Sequence, residues 1–271
     1  MTMRVPMPPS IAEHAGRQAE ASTPRDAATV VLLRDGAEGV EAYLLRRQRS
    51  MAFAPGMYVF PGGGVDPRDS DTDVAWAGPA PQEWADRWGC STDVARALVC
   101  AAVRETYEES GVLLAGPDAE TVVGDTSGAD WQADRLALEA HTLAFSDFLR
   151  RRSLVLRTDL LGAWAHWITP GFEPRRFDTR FFVAVLPRGQ RVGHLASEAD
   201  HASWMPLSAA LASVDAGDMA MLPPTSVTCR ELAALPSAAS ALEVAPTRRI
   251  VPVEPRLVEV DGTYYLETEL P

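Results

Sequence analysis

The chain contains no lysine: all 25 of its basic residues are arginine. That absence excludes a P-loop lysine, a Schiff-base lysine and a Ser-Lys nucleophile pair. Positive charge is short altogether. The formal net charge of −12 argues against general binding to a nucleic-acid backbone, which depends on a basic surface displacing counterions. Cysteine is scarce as well. Cys90, Cys100 and Cys229 stand far apart, with no C-x-x-C and no histidine at metal-site spacing, so a reducing compartment is expected, with the thiols as filler. No run of about 18 apolar residues occurs, and the N-terminal stretch lacks the continuous apolar segment of a signal peptide. The expectation is a soluble, cytoplasmic protein with no nucleic acid and no membrane among its partners.

What is present is a chain of 271 residues with 46% hydrophobic content, ample for one large core with additions. Residues 1–26, rich in Pro and Ala, read as a flexible leader. "ATVVLLRD" (28–35) and "VEAYLLRR" (40–47), separated by "GAEG", predict a hairpin. A short apolar strand around Tyr58 to Phe60 then runs into Gly62, Gly63 and Gly64. Three glycines in a row let backbone approach a ligand closely or adopt positive φ, and a mere turn is the competing reading. Residues 67–92 carry Trp76, Trp84 and Trp88 with little periodicity and read as an insertion with its own small apolar cluster.

From Asp93, read as an N-cap, the pattern becomes helical through Ala95, Leu98, Val99, Ala102, Val103 and Thr106, and Gly111 supplies the stop. Beyond it, residues 115–130 look like a loop and 131–153 like one or two helices. Strands are expected at 162–170, 178–187 and 199–205. Two helices follow, the second entered through Pro223 and Pro224, and a DG turn near the C-terminus predicts a hairpin. Strands interleaved with helices point to an α/β sandwich with a mixed sheet over residues 27–245, and residues 246–271 read as a C-terminal β-hairpin extension.

The helix of residues 93–110 ends in "VRETYEESG" (103–111), which sets Glu105, Glu108 and Glu109 at i, i+3 and i+4. Such spacing brings three carboxylates onto one sector of the helix, close to its apolar stripe. Glu109 is placed at the margin of that stripe with Glu105 beside it, so at least one acid should be substantially buried. A buried, unpaired carboxylate is costly or protonates. Arg104 projects about 100° away from Glu105 on the helix and can pair with only one acid. A hard divalent cation, Mg²⁺ or Mn²⁺, resolves the conflict. The competing reading is a solvated acidic helix end, which leaves the glycine run unexplained.

"FPGG" (60–63) followed by "RETYEESGV" (104–112) resembles the Nudix box, G-x5-E-x7-R-E-U-x-E-E-x-G-U. The second half matches at Arg104, Glu105, Glu108, Glu109, Gly111 and Val112, with Thr106 at the apolar position. The first half departs: Gly63 to Arg104 is 41 positions where the unbroken box has 14, and the difference of 27 is assigned to the Trp-rich insertion. The position eight before Arg104 is Arg96, so the box's first glutamate has no counterpart by that count. The split box is similar to a subgroup that includes a peroxisomal acyl-CoA diphosphatase, and the likeness spans residues 28–235. An arginine expected before FPGG is replaced by Ala52.

The resemblance implies a Nudix-type α/β/α sandwich with a mixed sheet, an insertion within the box and added helices. It also implies a metal-dependent hydrolase of a small-molecule nucleoside diphosphate derivative. Glu108 and Glu109 would be the principal metal ligands, Glu105 a ligand or base, the Gly63 carbonyl a further ligand, and Arg104 the group that orients Glu105. Glu198, six before Trp204, matches a further metal-binding or base glutamate, with an ordinary loop acid as the alternative. Arg46, Arg47, Arg49, Arg175 and Arg176 are candidate phosphate contacts, equally readable as solvated surface. The resemblance favours CoA or acyl-CoA, cleaved to 3′,5′-ADP and (acyl-)phosphopantetheine. NADH, ADP-ribose, a dinucleoside polyphosphate or a catalytically silent nucleotide-binding domain stay open. So do the roles of the insertion as a cap, an acyl contact or a homodimer contact.

Overall fold

The computed structural model describes residues 2–7, 22–48, 50, 54–193 and 199–271. Strand β1 (Thr2–Met7) lies apart from the central sheet. β2 (Arg25–Gly36) and β3 (Gly39–Arg47) form the expected hairpin, with β2 longer at both ends than its apolar run and β3 starting one residue earlier. β4 (Tyr58–Val59) pairs with β3, and β5 (Gly62–Gly64) pairs with β2. After a 3-10 turn at Pro67–Ser70 come β6 (Trp76–Ala77), α1 (Pro81–Trp88) and α2 (Thr92–Ser110). β7 (Ala115–Gly116), α3 (Ala129–Glu139), α4 (Phe145–Arg151) and β8 (Val155–Arg157) follow. β9 (Gly162–Ile168), β10 (Phe177–Val185) and β11 (Ala199–Pro206) complete most of the sheet. The chain continues through α5 (Leu207–Ala216), α6 (Pro223–Ala233), α7 (Ala238–Val244), β12 (Pro252–Val253), β13 (Arg256–Val260) and β14 (Thr263–Glu269).

The central sheet runs β11-β3-β2-β10-β9-β12 and is mixed: β2 lies parallel to β10, and β9 is antiparallel to it. β2 and β10 are buried on both faces, which is why "ATVVLL" and "FFVAV" read as continuous apolar runs rather than alternating ones. Ala28, Val30, Leu32, Phe182 and Ala184 face α2, whose Leu98, Val99, Ala102 and Val103 are sealed against them. Val31, Leu33 and Val183 face the opposite layer with Leu207, Ala210, Cys229, Leu232 and Ala241 of α5, α6 and α7. The helix-sheet-helix sandwich read from the sequence is therefore the observed architecture.

Three local readings change. Thr2–Met7, read as part of the leader, pairs antiparallel with β14, so the two ends of the chain make a three-stranded sheet with β13. Its DG turn has Asp261 and Gly262 both at positive φ (50° and 74°), the geometry a two-residue hairpin loop requires. The tryptophans of residues 67–92 do not form a cluster of their own: Trp84 and Trp88 pack on Phe182 of β10, with ring centroids 5.5 and 5.2 Å away. Each such buried aromatic contributes roughly 1.5–3 kcal/mol of transfer free energy, so this segment belongs to the main core. Finally, the N-cap of α2 is Ser91, whose hydroxyl accepts from Val94 N, and Asp93 sits in the first turn.

Cys100 and Cys229 are buried with their thiols pushed up to about 12, mainly by burial, which makes them inert packing groups. Among the described residues no helix is long and apolar enough to cross a membrane.

Candidate active site

Helix α2 brings its acids to the sheet because the stop is sharp. Gly111 takes the left-handed conformation (φ 75°) and its N–H closes the helix on the Tyr107 carbonyl, so the turn carrying Glu105, Glu108 and Glu109 remains helical to its end. The burial order differs from the one inferred from the apolar stripe. Glu108 is the buried acid, 6% exposed, and Glu105 and Glu109 are partly covered.

Arg104 is 4% exposed and does more than pair with one acid. Its Nη1 donates to Glu105 Oε1 at 2.7 Å and stands 3.3 Å from both oxygens of Glu108. Nη2 donates to the Gly64 carbonyl at 3.0 Å and to Asp69 Oδ2 at 2.9 Å, while Nε bonds Asp69 Oδ1 at 3.0 Å. The expectation of a single partner fails because a guanidinium carries five donors in a fork. Burial works against the charge of Arg104, but the Asp69 hydrogen bonds and the three acids outweigh it and hold it protonated.

Asp69 escaped the sequence reading. Counting back eight residues from Arg104 lands on Arg96, whereas counting forward from Gly63 through five residues lands on Asp69, the position of the box's first acid. From Asp69 to Arg104 is 35 positions where the unbroken motif has 8, leaving the same 27 extra residues, now wholly after Asp69. Asp69 is 3% exposed in the 3-10 turn at Pro67–Ser70, and its side chain also accepts from Asp66 N at 2.8 Å. Arg96 instead lies over the Trp76 ring, 5.4 Å from the centroid.

The glycine run explains itself against these acids. Gly62 N donates to Glu109 Oε2 at 2.8 Å. A β-carbon on Gly63 would meet Glu105 Oε1 at 2.6 Å, so only glycine lets that carboxylate lie against the β5 backbone. β5 is in turn held by β2, with Gly63 opposite Ala28. Gly63 thus permits a close approach that any side chain would displace, which favours the close-approach reading over a plain turn.

The electrostatics are those of a site short of positive charge. Burial pushes the Glu105 carboxyl up to about 7; Arg104 pulls it down and Glu108 pushes it up again, and burial prevails. Glu108 is also raised, by burial first, against the pull of Arg104. Among the described residues no set of three His, Cys, Asp or Glu side chains is gathered as metal ligands; Glu105 and Glu108 lie on Arg104, and Glu109 on Gly62 N. The donor set nonetheless fits a hard cation. It offers carboxylate oxygens on one helix face, a backbone cradle that a β-carbon would fill, and acids whose charge one guanidinium does not offset.

The other predicted residues divide. Arg46 sits on β3 with Nε donating to Asp200 Oδ1 at 2.6 Å. Arg47, next to it, pairs in the sheet with Ala199, and its backbone bonds Gly56 and Met57. Arg175 is exposed in the turn between β9 and β10. Arg176 is engaged at each nitrogen, on the carbonyls of Thr169 and Ser22 and on Glu254 Oε1, so it braces that turn. Arg49 and Glu198 lie outside the described residues. The described residues on either side of that last segment are Gly193, bonded to the Ser110 carbonyl, and Ala199, paired with Arg47.

Comparison with known proteins agrees with the motif. Residues 85–232, more than half of the chain, match the family model described as the NUDT19 Nudix domain. A solved NUDIX hydrolase from Alicyclobacillus acidocaldarius is 32% identical with a TM-score of 0.69, covering 82% of this chain and 96% of that one. The acyl-coenzyme A diphosphatase NUDT19 of Homo sapiens is 29% identical over 240 residues, covering 73% of this chain and 61% of that protein. Its Xenopus laevis counterpart is 26% identical over 181 residues, covering 54% of this chain and 47% of that protein. The chain thus spans about half to three-fifths of the length of these curated relatives. On the matched model, the shared fold and the Arg104 cluster over the glycine run, the chain belongs to the Nudix hydrolase family.

Proposed function

We propose that this protein is a metal-dependent pyrophosphohydrolase that cleaves the diphosphate linkage of CoA or acyl-CoA, giving 3′,5′-ADP and (acyl-)phosphopantetheine. The observation that carries the chemistry is that Glu105, Glu108 and Glu109 share one helix face against the glycine run, with Glu105 and Glu108 on Arg104, Glu109 on Gly62 N, and a Gly63 β-carbon within 2.6 Å of Glu105 Oε1. The substrate rests on the curated relatives named acyl-coenzyme A diphosphatase.

In this reading Glu108, Glu109, Glu105 and the Gly63 carbonyl hold Mg²⁺ or Mn²⁺, with Glu198 supplying a further ligand or orienting water. A cation held by these residues would supply neutralisation of charge on the diphosphate oxygens and on the leaving group. Arg104 fixes the rotamer of Glu105 through the 2.7 Å bond and is itself fixed by Asp69. Glu105, with a carboxyl that titrates near neutrality when metal-free, is suited to accept a proton from the attacking water. Arg46, Arg47, Arg49 and the exposed Arg175 stay candidates for the substrate's phosphates, whereas Arg176 is committed to the fold.

The test is to incubate the protein with Mg²⁺ or Mn²⁺ and a panel of CoA, acetyl-CoA, longer acyl-CoAs, NADH, ADP-ribose and diadenosine polyphosphates, identifying products by mass. Release of 3′,5′-ADP in preference to other products supports the proposal. Preferential cleavage of another member keeps the chemistry and replaces the substrate, and no cleavage with metal bound contradicts the enzymatic reading.

A further inference from the structure

Helix α3 sends one buried guanidinium to the acid-bearing end of α2. Arg135 is 3% exposed, although it lies outside the motif. Its Nε donates to the Glu108 main-chain carbonyl at 2.8 Å, and its Nη1 donates to Gln132 Oε1 at 3.2 Å. That carbonyl is one of the last four in α2, which a helix end leaves without intrahelical partners.

The neighbouring carbonyls are capped by neutral groups. Gly111 N serves Tyr107, Gly193 N serves Ser110 at 2.7 Å, and Thr126 Oγ1 serves Gly111 at 2.6 Å. Arg135 is the charged member of this set, at the end of α2 where the helix dipole is negative. The buried Tyr43 hydroxyl is raised mainly by burial, with the Arg135 charge lowering it and the Glu109 charge raising it. A β-carbon on Gly193 would lie 3.4 Å from Arg135 Nη1. One planar group therefore stands between the turn carrying Glu108 and Glu109 and the segment that crosses the end of α2.

A neutral hydroxyl would cap a carbonyl at less cost than a buried charge, as Thr126 does one turn away. We propose that Arg135 is a positioning residue: by bracing the Glu108 carbonyl from α3, it fixes the last turn of α2 and hence the directions of the Glu108 and Glu109 carboxylates. This rests on the reading of those acids as metal ligands. Displacing such a turn by about 1 Å costs on the order of a hundredfold in rate.

The test compares Arg135→Lys with Thr126→Val in the full chain. The first keeps the charge and loses the planar fork; the second removes a cap from the same helix end and leaves Arg135 in place. The measurements are Mn²⁺ affinity by electron paramagnetic resonance, kcat and KM at saturating metal, and Tm. Arg135→Lys should weaken Mn²⁺ binding about tenfold and lower kcat about tenfold, with KM within about threefold. Both variants should lower Tm by a similar amount, and Thr126→Val should move neither Mn²⁺ affinity nor kcat. Wild-type Mn²⁺ binding in Arg135→Lys, or equal weakening in Thr126→Val, overturns the proposal. If the wild type binds Mn²⁺ but hydrolyses none of the panel, the Mn²⁺ comparison still decides the role of Arg135, and only the enzymatic reading falls.

Discussion

Two of the buried guanidinium groups, Arg104 and Arg180, each sit among acids, and they behave oppositely. Arg180 on β10 alternates with Phe182 and bonds Asp26 Oδ1 at 3.0 Å and Asp178 Oδ1 at 2.7 Å, while His166 Nε2 also bonds Asp178. Burial pushes the Asp178 carboxyl up, but the His166 hydrogen bond and the Arg180 charge outweigh it and leave it below the ordinary range. At Arg104 burial prevails instead, and Glu105 and Glu108 are raised. The ingredients match and the balance differs: three acids share Arg104, whereas Asp178 has Arg180 and His166 beside it. Arg180 and Asp178 together tie β10 to Asp26 of β2 and to His166 of β9. Arg104 organises acids whose charge it does not cancel, which is the condition a cation would relieve.

Substitutions can break this contrast. The largest effect is expected for Glu109→Gln, which removes one charge from the acid cluster while keeping its shape: kcat should fall on the order of a hundred- to thousandfold with little change in Tm. Near-normal turnover in a folded Glu109→Gln protein would remove Glu109 from the site. Gly63→Ala comes next, because the added methyl collides with Glu105, and about a tenfold to hundredfold loss of kcat is expected. Gly64→Ala, which meets nothing within 4 Å, should stay within about threefold and serves as its partner measurement.

At the other cluster, Arg180→Met should cost about 1–3 kcal/mol in chemical denaturation, since it takes the guanidinium from Asp26 and leaves Asp178 with His166 alone. Turnover per folded molecule should remain. A loss of turnover larger than the loss of folded protein would mean that the Arg180 cluster takes part in the reaction.

The smallest effect is in pH. Glu105 titrates near 7 in the folded, metal-free protein and near 4.5 unfolded, so the folded state binds the extra proton between those values. Its contribution to stability is fully present below about 4.5 and is lost as pH rises through about 7. The stability difference between wild type and Glu105→Gln, followed by denaturation from pH 4.5 to 8 without metal, should therefore move against the wild type as pH rises. A flat difference would show that burial does not raise Glu105.

What the sequence disclosed depended on how local each feature is. The acid face of α2 is a matter of 3.6-residue spacing, and the hairpin of β2 and β3, the Gly111 stop and the DG turn are equally local, so all were legible. Asp69 was present in the spacing from Gly63 and was missed because the count was taken from the wrong end of an interrupted motif. β1 pairs with β14, more than 250 residues away, and Trp84 and Trp88 meet Phe182 across the sheet; no window of sequence contains both partners. The bond from Arg135 to the Glu108 carbonyl has the same character, because a main-chain acceptor leaves no mark on residue type. Arg46 and Arg176 looked like free positive charge until their partners Asp200 and Glu254 were brought to them by folding.

The most direct test of the central claim is a titration of Mn²⁺ into the metal-free wild type and into Glu109→Gln, read by electron paramagnetic resonance. The account predicts saturable binding in the wild type and a loss of at least about tenfold in affinity in the variant, with both proteins folded. Equal affinity in the two, or no saturable binding in the wild type, would contradict the assignment of the acids at the end of α2 as a cation site.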